Sequence, residues 1–299
     1  MYHYVREFSS HIPKLIFLDI ANFRKQLDYF GENFGYITLD EWKQYLVDGS
    51  GASEDGRVIL TFDDGISDHY NYVYPELKSR GLWGIFYIQT LPYMSSTMVN
   101  VHKIHNLNGR FGDNIYDYLM SILSEDMSIL SEDIYRYQAQ NHKLTKLKKL
   151  LNYSVNPDIL PNLLDKIANH FNFTFNLDDF YLSVDQIKEM SLNGMLIGAH
   201  TVSHTVMSKL SRKDQEFEIY NSFDYLDSVC NAKIYTYCHP FGGSSSYNED
   251  TLDILEKYKA RARLLFSFSR ESREITDKDL EESRQSLPRF DCNEFPFGR

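Results

Sequence analysis

Short apolar runs recur along this chain, and each one stops at polar residues. Val58-Ile59-Leu60 leads into Thr61-Phe62-Asp63, Leu82 to Ile88 ends at Gln89-Thr90, and Met195 to Ala199 ends at His200. Ile234 to Cys238 ends at His239-Pro240, and Leu264 to Phe268 ends at Ser269-Arg270. Unbroken apolar runs of this length suit parallel strands covered on both faces. Helical patterns lie between them. Asp40-Glu41-Trp42-Lys43-Gln44-Tyr45-Leu46 carries apolar positions at helical spacing. Ser183-Val184-Asp185-Gln186 reads as a capping box, with Gly194 as the stop. Ser211 opens a further helix, with Phe217, Tyr220 and Phe223 predicted on one face. Strands alternating with helices predict an α/β fold with a parallel sheet or barrel. In such a barrel the chemistry gathers at the carboxyl ends of the strands, which is where the polar clusters fall.

The stretch from about Leu91 to Asp179 differs. Tyr116 to Leu123 and Leu144 to Leu151 read as amphipathic helices rather than strands. The expectation is one domain over residues 1–299, with a helical insertion at about 91–179 acting as a lid or substrate wall. The chain length of 299 residues permits that reading. A formal net charge of −11 argues against nucleic acid as a main partner. The cysteines, Cys230, Cys238 and Cys292, are odd in number and form no C-x-x-C pair. Met1-Tyr2-His3-Tyr4-Val5-Arg6 lacks the zones of a signal peptide, and no apolar run reaches membrane-spanning length. These features predict a cytoplasmic protein with no integral membrane segment.

Two clusters carry the chemistry: Thr61-Phe62-Asp63-Asp64-Gly65 and His200-Thr201-Val202-Ser203-His204. Asp-Asp-Gly alone is a common turn sequence. The histidine pair changes that reading. A spacing of four puts both imidazoles on one side of a helical turn, converging on one ion. One carboxylate and two imidazoles hold a divalent metal and leave a position for water, and the spare carboxylate serves as a base. Together the clusters predict a metal-dependent hydrolase, with residue types alone leaving open which aspartate does which.

With these motifs the chain resembles the polysaccharide deacetylase family, which shares the NodB homology domain (carbohydrate esterase family 4). The resemblance covers roughly residues 1–90 and 180–290. The family's T-F-D-D-G motif implies Asp63 as base and Asp64 as metal ligand, and its H-[ST]-x-x-H motif implies His200 and His204 as ligands. It implies a distorted barrel of seven β/α units. Zinc is the expected metal, with cobalt, nickel and manganese as alternatives. The third motif, R-x-P-[FY], is present here as Cys238-His239-Pro240-Phe241, which keeps the Phe241 backbone N–H as an oxyanion donor but replaces the arginine that orients the base. The late histidine that serves as general acid is missing, and Leu287-Pro288-Arg289-Phe290-Asp291 stands in its region. Arg289 and Asp291 are candidates to complete the site by salt bridge or hydrogen bond. His3 is the first candidate for the acid, followed by His239 and His102.

The reaction implied is hydrolysis of an N-acetyl group on an amino sugar, with water activated by the metal as nucleophile. Val101-His102-Lys103-Ile104-His105 and Pro288-Arg289-Phe290-Asp291 resemble proteins of bacterial surface-polysaccharide synthesis, such as O-antigen or capsule. The implied substrate is a nucleotide-linked, lipid-linked or oligosaccharide amino sugar. The alternatives are removal of a formyl group, hydrolysis of another small amide, and a catalytically weak barrel that binds glycan or protein.

Overall fold

The computed structural model describes residues 1–48, 56–125, 143–156, 158–230, 234–259 and 265–299. Leu264, the first residue of the last predicted strand, lies outside them. Contacts divide the chain into two compact units. One comprises Met1–Glu7, Phe17–Ser96 and Asp178–Arg299, and the other Phe8–Ile16 and Thr97–Leu177.

The first unit is α/β. Its strands are β1 (Val5–Arg6), β2 (Leu18–Asp19), β3 (Thr61–Phe62), β4 (Ile85–Ile88), β5 (Leu196–Ala199), β6 (Tyr235–Cys238) and β7 (Leu265–Phe268). Strands β3 to β7 form one parallel sheet in sequence order, while β1 and β2 form a separate parallel pair. Seven parallel strands fit the expected barrel, but among the described residues the ladder is open. Single bridges extend the sheet at its two edges, Tyr2 beside Phe62 and Leu287 beside Phe268.

Both faces of the sheet are buried, which explains the unbroken apolar runs. Ile85, Tyr87, Leu196, Cys238, Phe266 and Phe268 face one core with Trp42 and Leu287. Their neighbours Phe86, Ile88, Ile197, Ala199, Tyr237 and Leu265 face the other, against Ile187, Ile219 and Phe223 of the covering helices. Gly198 is needed where strands approach closely. A Cβ there would lie 2.5 Å from the Tyr87 ring and 2.8 Å from Thr236.

The helix Val184–Leu192 starts at the predicted capping box of Ser183 and Gln186, and Gly194 follows it at φ 88°. The helix Arg212–Cys230 begins after Ser211, but its buried face is Gln215, Glu218, Ile219, Ser222, Phe223 and Leu226. Phe217 is exposed, so the predicted face was rotated. Here buried polar residues occupy places that an apolar pattern alone assigns to solvent.

The second unit is helical. Its helices Asn100–Phe111, Asp113–Glu125, Lys143–Lys149 and Leu160–His170 enclose a core of Leu107, Leu119, Leu147, Leu151 and Leu164 among others. The segment Phe8–Ile16 joins it through Lys14 N–H donating to Gly109 O at 2.8 Å and Arg110 Nη1 donating to His11 O at 3.2 Å. The short helix Leu91–Ser95 belongs to the first unit instead. No helix among the described residues is long and apolar enough to cross a membrane.

Candidate active site

The carboxyl ends of β3, β5 and β6 bring the two sequence clusters together. Period-two alternation turns Phe62 into one core and Asp63 toward the opposite face. Asp64 follows with φ 87°, a left-handed backbone that sends adjacent carboxylates in different directions. The Asp64 side chain is buried and accepts a hydrogen bond from Gln89 Nε2 at 2.9 Å. Its Oδ1 lies 3.7 Å from His200 Nε2 and 3.5 Å from His204 Nε2.

The histidines do not share a helical turn. His200 directly follows β5, and residues 201–206 form a loop in which Thr201 and His204 have φ of 65° and 55°. Left-handed turns, not helical spacing, bring the two rings within 4.6 Å of each other, nearly perpendicular at 80°. The loop is tied to the end of β4 by Thr90 N–H donating to Thr201 O at 3.2 Å and Leu91 N–H donating to Val202 O at 2.9 Å. Asp64, Thr201, His204 and Phe241 (φ 62°) gather non-glycine left-handed backbone around one site. Such residues cost about 1–3 kcal/mol each and concentrate where function requires them.

These residues fit a divalent cation. One donor atom from each of Asp64, His200 and His204 lies within 4.8 Å of the others. Two bonds of about 2.0–2.1 Å at a tetrahedral angle span about 3.3 Å, close to the separations found. His200 Nδ1 bonds to Cys238 O at 2.7 Å, which leaves Nε2 turned to Asp64. A carbonyl on the far nitrogen is the usual way to fix the tautomer and orientation of a ligating imidazole. Burial lowers the pKa of His200, against the pull of Asp63 and Asp64, and so favours the neutral ring a metal requires.

Asp63 has different partners. Arg289 grips it with both terminal nitrogens, Nη1 to Oδ1 at 2.8 Å and Nη2 to Oδ2 at 2.5 Å. The guanidinium is itself held by Thr61 Oγ1 at 3.0 Å and Ser269 O at 3.0 Å. It lies over the Tyr87 and Phe268 rings. Burial raises the pKa of Asp63, but the charge and hydrogen bonds of Arg289 outweigh it and hold the carboxyl well below the usual range. Cys238, where the resembling motif has arginine, leaves room for this side chain. Its Sγ is 2.7 Å from Arg289 Nη2 and 3.6 Å from Asp63 Oδ2.

His3 reaches the same carboxylate because Tyr2 pairs with Phe62, which sets residue 3 beside residue 63. His3 Nε2 is 3.9 Å from Asp63 Oδ2, and its side chain is 40% exposed. The Phe241 ring packs at 5.0 Å on His204. Three other candidates are placed elsewhere. His239 is buried, with Nε2 on Gln285 O at 2.7 Å and its ring stacked on Tyr247 at 4.0 Å. Its neighbours in β6 alternate, so when Cys238 faces the site His239 faces away. Asp291 caps the short helical turn Cys292–Glu294 and lies 3.5 Å from Arg270. His102 belongs to the helical unit. Sequence reasoning missed Gln89 as a partner of Asp64, although the strand-end pattern pointed to its position. It also missed Glu218, which no local signal marks.

A family model of polysaccharide deacetylase matches residues 156–263, which include His200 and His204. Over that stretch the chain is similar to polysaccharide deacetylases. YxkH of Bacillus subtilis (strain 168), a protein named for polysaccharide deacetylation, is 31% identical over 77 residues, 26% of this chain and 26% of YxkH. The Streptococcus pyogenes deacetylase PplD, solved in complex with acetate, matches 97% of this chain and 88% of its own with a TM-score of 0.57 and 19% identity. A polysaccharide deacetylase from Bacillus cereus matches 97% of this chain and 62% of its own with a TM-score of 0.52 and 16% identity. At those identities the structural likeness is one of fold, and the polysaccharide deacetylase fold is the α/β architecture described above.

Proposed function

We propose that this protein removes N-acetyl groups from an amino sugar, in a polysaccharide or in its nucleotide-linked or lipid-linked precursor. The observation that carries the reading is the division of labour between adjacent carboxylates. Asp64 faces two imidazoles, while Asp63, next in the chain, is held ionised by Arg289. Asp64, His200 and His204 would hold a divalent cation, zinc being the first choice, and it would supply a Lewis acid for the acetamide carbonyl and acidify water.

Asp63 then takes a proton from the attacking water. The fork of Arg289 fixes where its lone pairs point. The Phe241 N–H is the donor proposed for the developing oxyanion. When the carbon–nitrogen bond breaks, the amine takes a proton from His3, and acetate and the free amino sugar remain. His3 suits this role by its nearness to Asp63 and its partial exposure, while His239 is engaged with Gln285.

The test is acetate release from a panel of N-acetylated oligosaccharides, nucleotide sugars and lipid-linked sugars, with formate and ammonia scored alongside. Acetate release that a chelator abolishes and added Zn2+ restores supports the proposal. In Asp63→Asn, metal content should stay at wild type while turnover falls by about 10²- to 10⁴-fold. Formate in place of acetate moves the reading to a deformylase. Tight glycan binding with no product of any kind makes it a binding barrel.

A further inference from the structure

The loop that carries both histidines is held from its outer side by one carboxylate. Glu218, in the helix Arg212–Cys230, is 7% exposed. It accepts hydrogen bonds from Val202 N–H and Ser203 N–H, both at 2.8 Å, and from the Ser203 hydroxyl at 2.6 Å. It also bonds to the hydroxyl of Thr201, which in turn accepts from the His204 N–H at 2.9 Å. These partners span the residues between His200 and His204, where the chain takes its left-handed turns. A backbone strained at Thr201 and His204 stays in place only when its surroundings over-determine it. Buried amides without a partner are costly, and Glu218 partners two of them at once.

We propose that Glu218 is a positioning residue for the cation site: by clamping residues 201–203 it sets where His204 presents its ring to Asp64. This rests on the proposed function, in that Asp64, His200 and His204 must bind the cation. Glu218 touches neither substrate nor cation. It acts through the loop, as second partners of metal ligands do, where mutation typically costs about 10- to 100-fold in affinity.

The experiment uses the full chain stripped of metal, with Zn2+ alone titrated against a chromophoric chelator and Co2+ alone read by its visible spectrum. Glu218→Ala should bind Zn2+ about 10- to 100-fold more weakly and shift the Co2+ bands, while circular dichroism stays at wild type. Glu218→Gln, which keeps the shape and one acceptor oxygen, should lose less, and it serves as the informative variant if Glu218→Ala does not fold. Glu216→Gln, beside it on the same helix, should bind as wild type does. A second readout needs no metal: amide exchange at Val202 and Ser203 should speed up in Glu218→Ala and Glu218→Gln. Wild-type Zn2+ affinity in a folded Glu218 variant, or unchanged exchange at those amides, overturns the role of Glu218 alone. A wild-type protein that binds neither ion overturns the proposed cation site, and with it any role for Glu218 there.

Discussion

Where Asp63 meets Arg289, two opposing effects act on one carboxyl group: burial favours its neutral form, and the guanidinium fork favours its charged form. The fork wins because it is bidentate and equally buried, with its own remaining donors satisfied by Thr61 and Ser269. The cost of that victory is a weaker base, so orientation must compensate for lost basicity. Two substitutions separate the contributions. Arg289→Lys keeps a charge but not the fork, and should lower turnover while leaving the acid limb of the pH–rate profile near its wild-type place. Arg289→Met leaves a buried, uncompensated carboxyl. Its pKa should rise, moving the acid limb of kcat/KM to higher pH, with turnover at pH 7 down by about 10²-fold. An unmoved acid limb in Arg289→Met would show that Asp63 is not the group whose ionisation the rate reports. Asp63 and Arg289 were both visible in the sequence as candidates. Their pairing was not, since 226 positions separate them.

At the scale of elements, strand ends and caps were legible because their signals are local. Apolar runs marked five strands of the sheet, and the Ser183 capping box marked a helix start. The loop after β5 was misread. A spacing of four satisfies a helix, but Gly198 lets β5 run close to Tyr87 and Thr236, and the chain leaves the strand into left-handed turns. Gly198→Ala should therefore disturb the site as well as the sheet. An added methyl at 2.5 Å from the Tyr87 ring forces a shift in a packed core, costing about 1–3 kcal/mol. Thermal melting should show a lower Tm, and Zn2+ affinity should fall with it. A wild-type Tm for Gly198→Ala would mean that Tyr87 yields freely. The rotated face of Arg212–Cys230 is a further case. Gln215 and Glu218 are buried there because polar partners from other segments meet them, a fact no periodicity records.

For the molecule as a whole, two buried histidines couple stability to pH. His69 and His239 are both enclosed, each with one ring nitrogen on a backbone carbonyl, His3 O at 3.0 Å and Gln285 O at 2.7 Å. Burial brings both from the ordinary 6.5 down to about 4. The unfolded chain then binds more protons than the native one between about pH 4 and 6.5, so these groups lower stability as pH falls through that window. A shift of that size corresponds to roughly 3 kcal/mol per histidine at the bottom of the window. Urea unfolding at pH 7 and pH 4.5 should show the loss, and His239→Gln should reduce the difference between the two. An equal pH dependence in wild type and variant would mean that His239 is protonated in the native state. His69 also couples the whole to the site, since the carbonyl it holds belongs to the proposed acid.

The sequence by itself determined the α/β class, the strand ends and the two clusters, Thr61 to Gly65 and His200 to His204, in which the candidate donors lie. Apolar runs and ligand chemistry are written in neighbouring residues, and neighbours can be read in order. Only the tertiary structure decided that Arg289 and His3 meet at Asp63, that His239 and Asp291 turn to other partners, and that residues 8–16 pack with the helices at 97–177. Those outcomes follow from which strands pair and which way each side chain then points. Register across a sheet is a relation between distant segments, and no local pattern of residue types contains it.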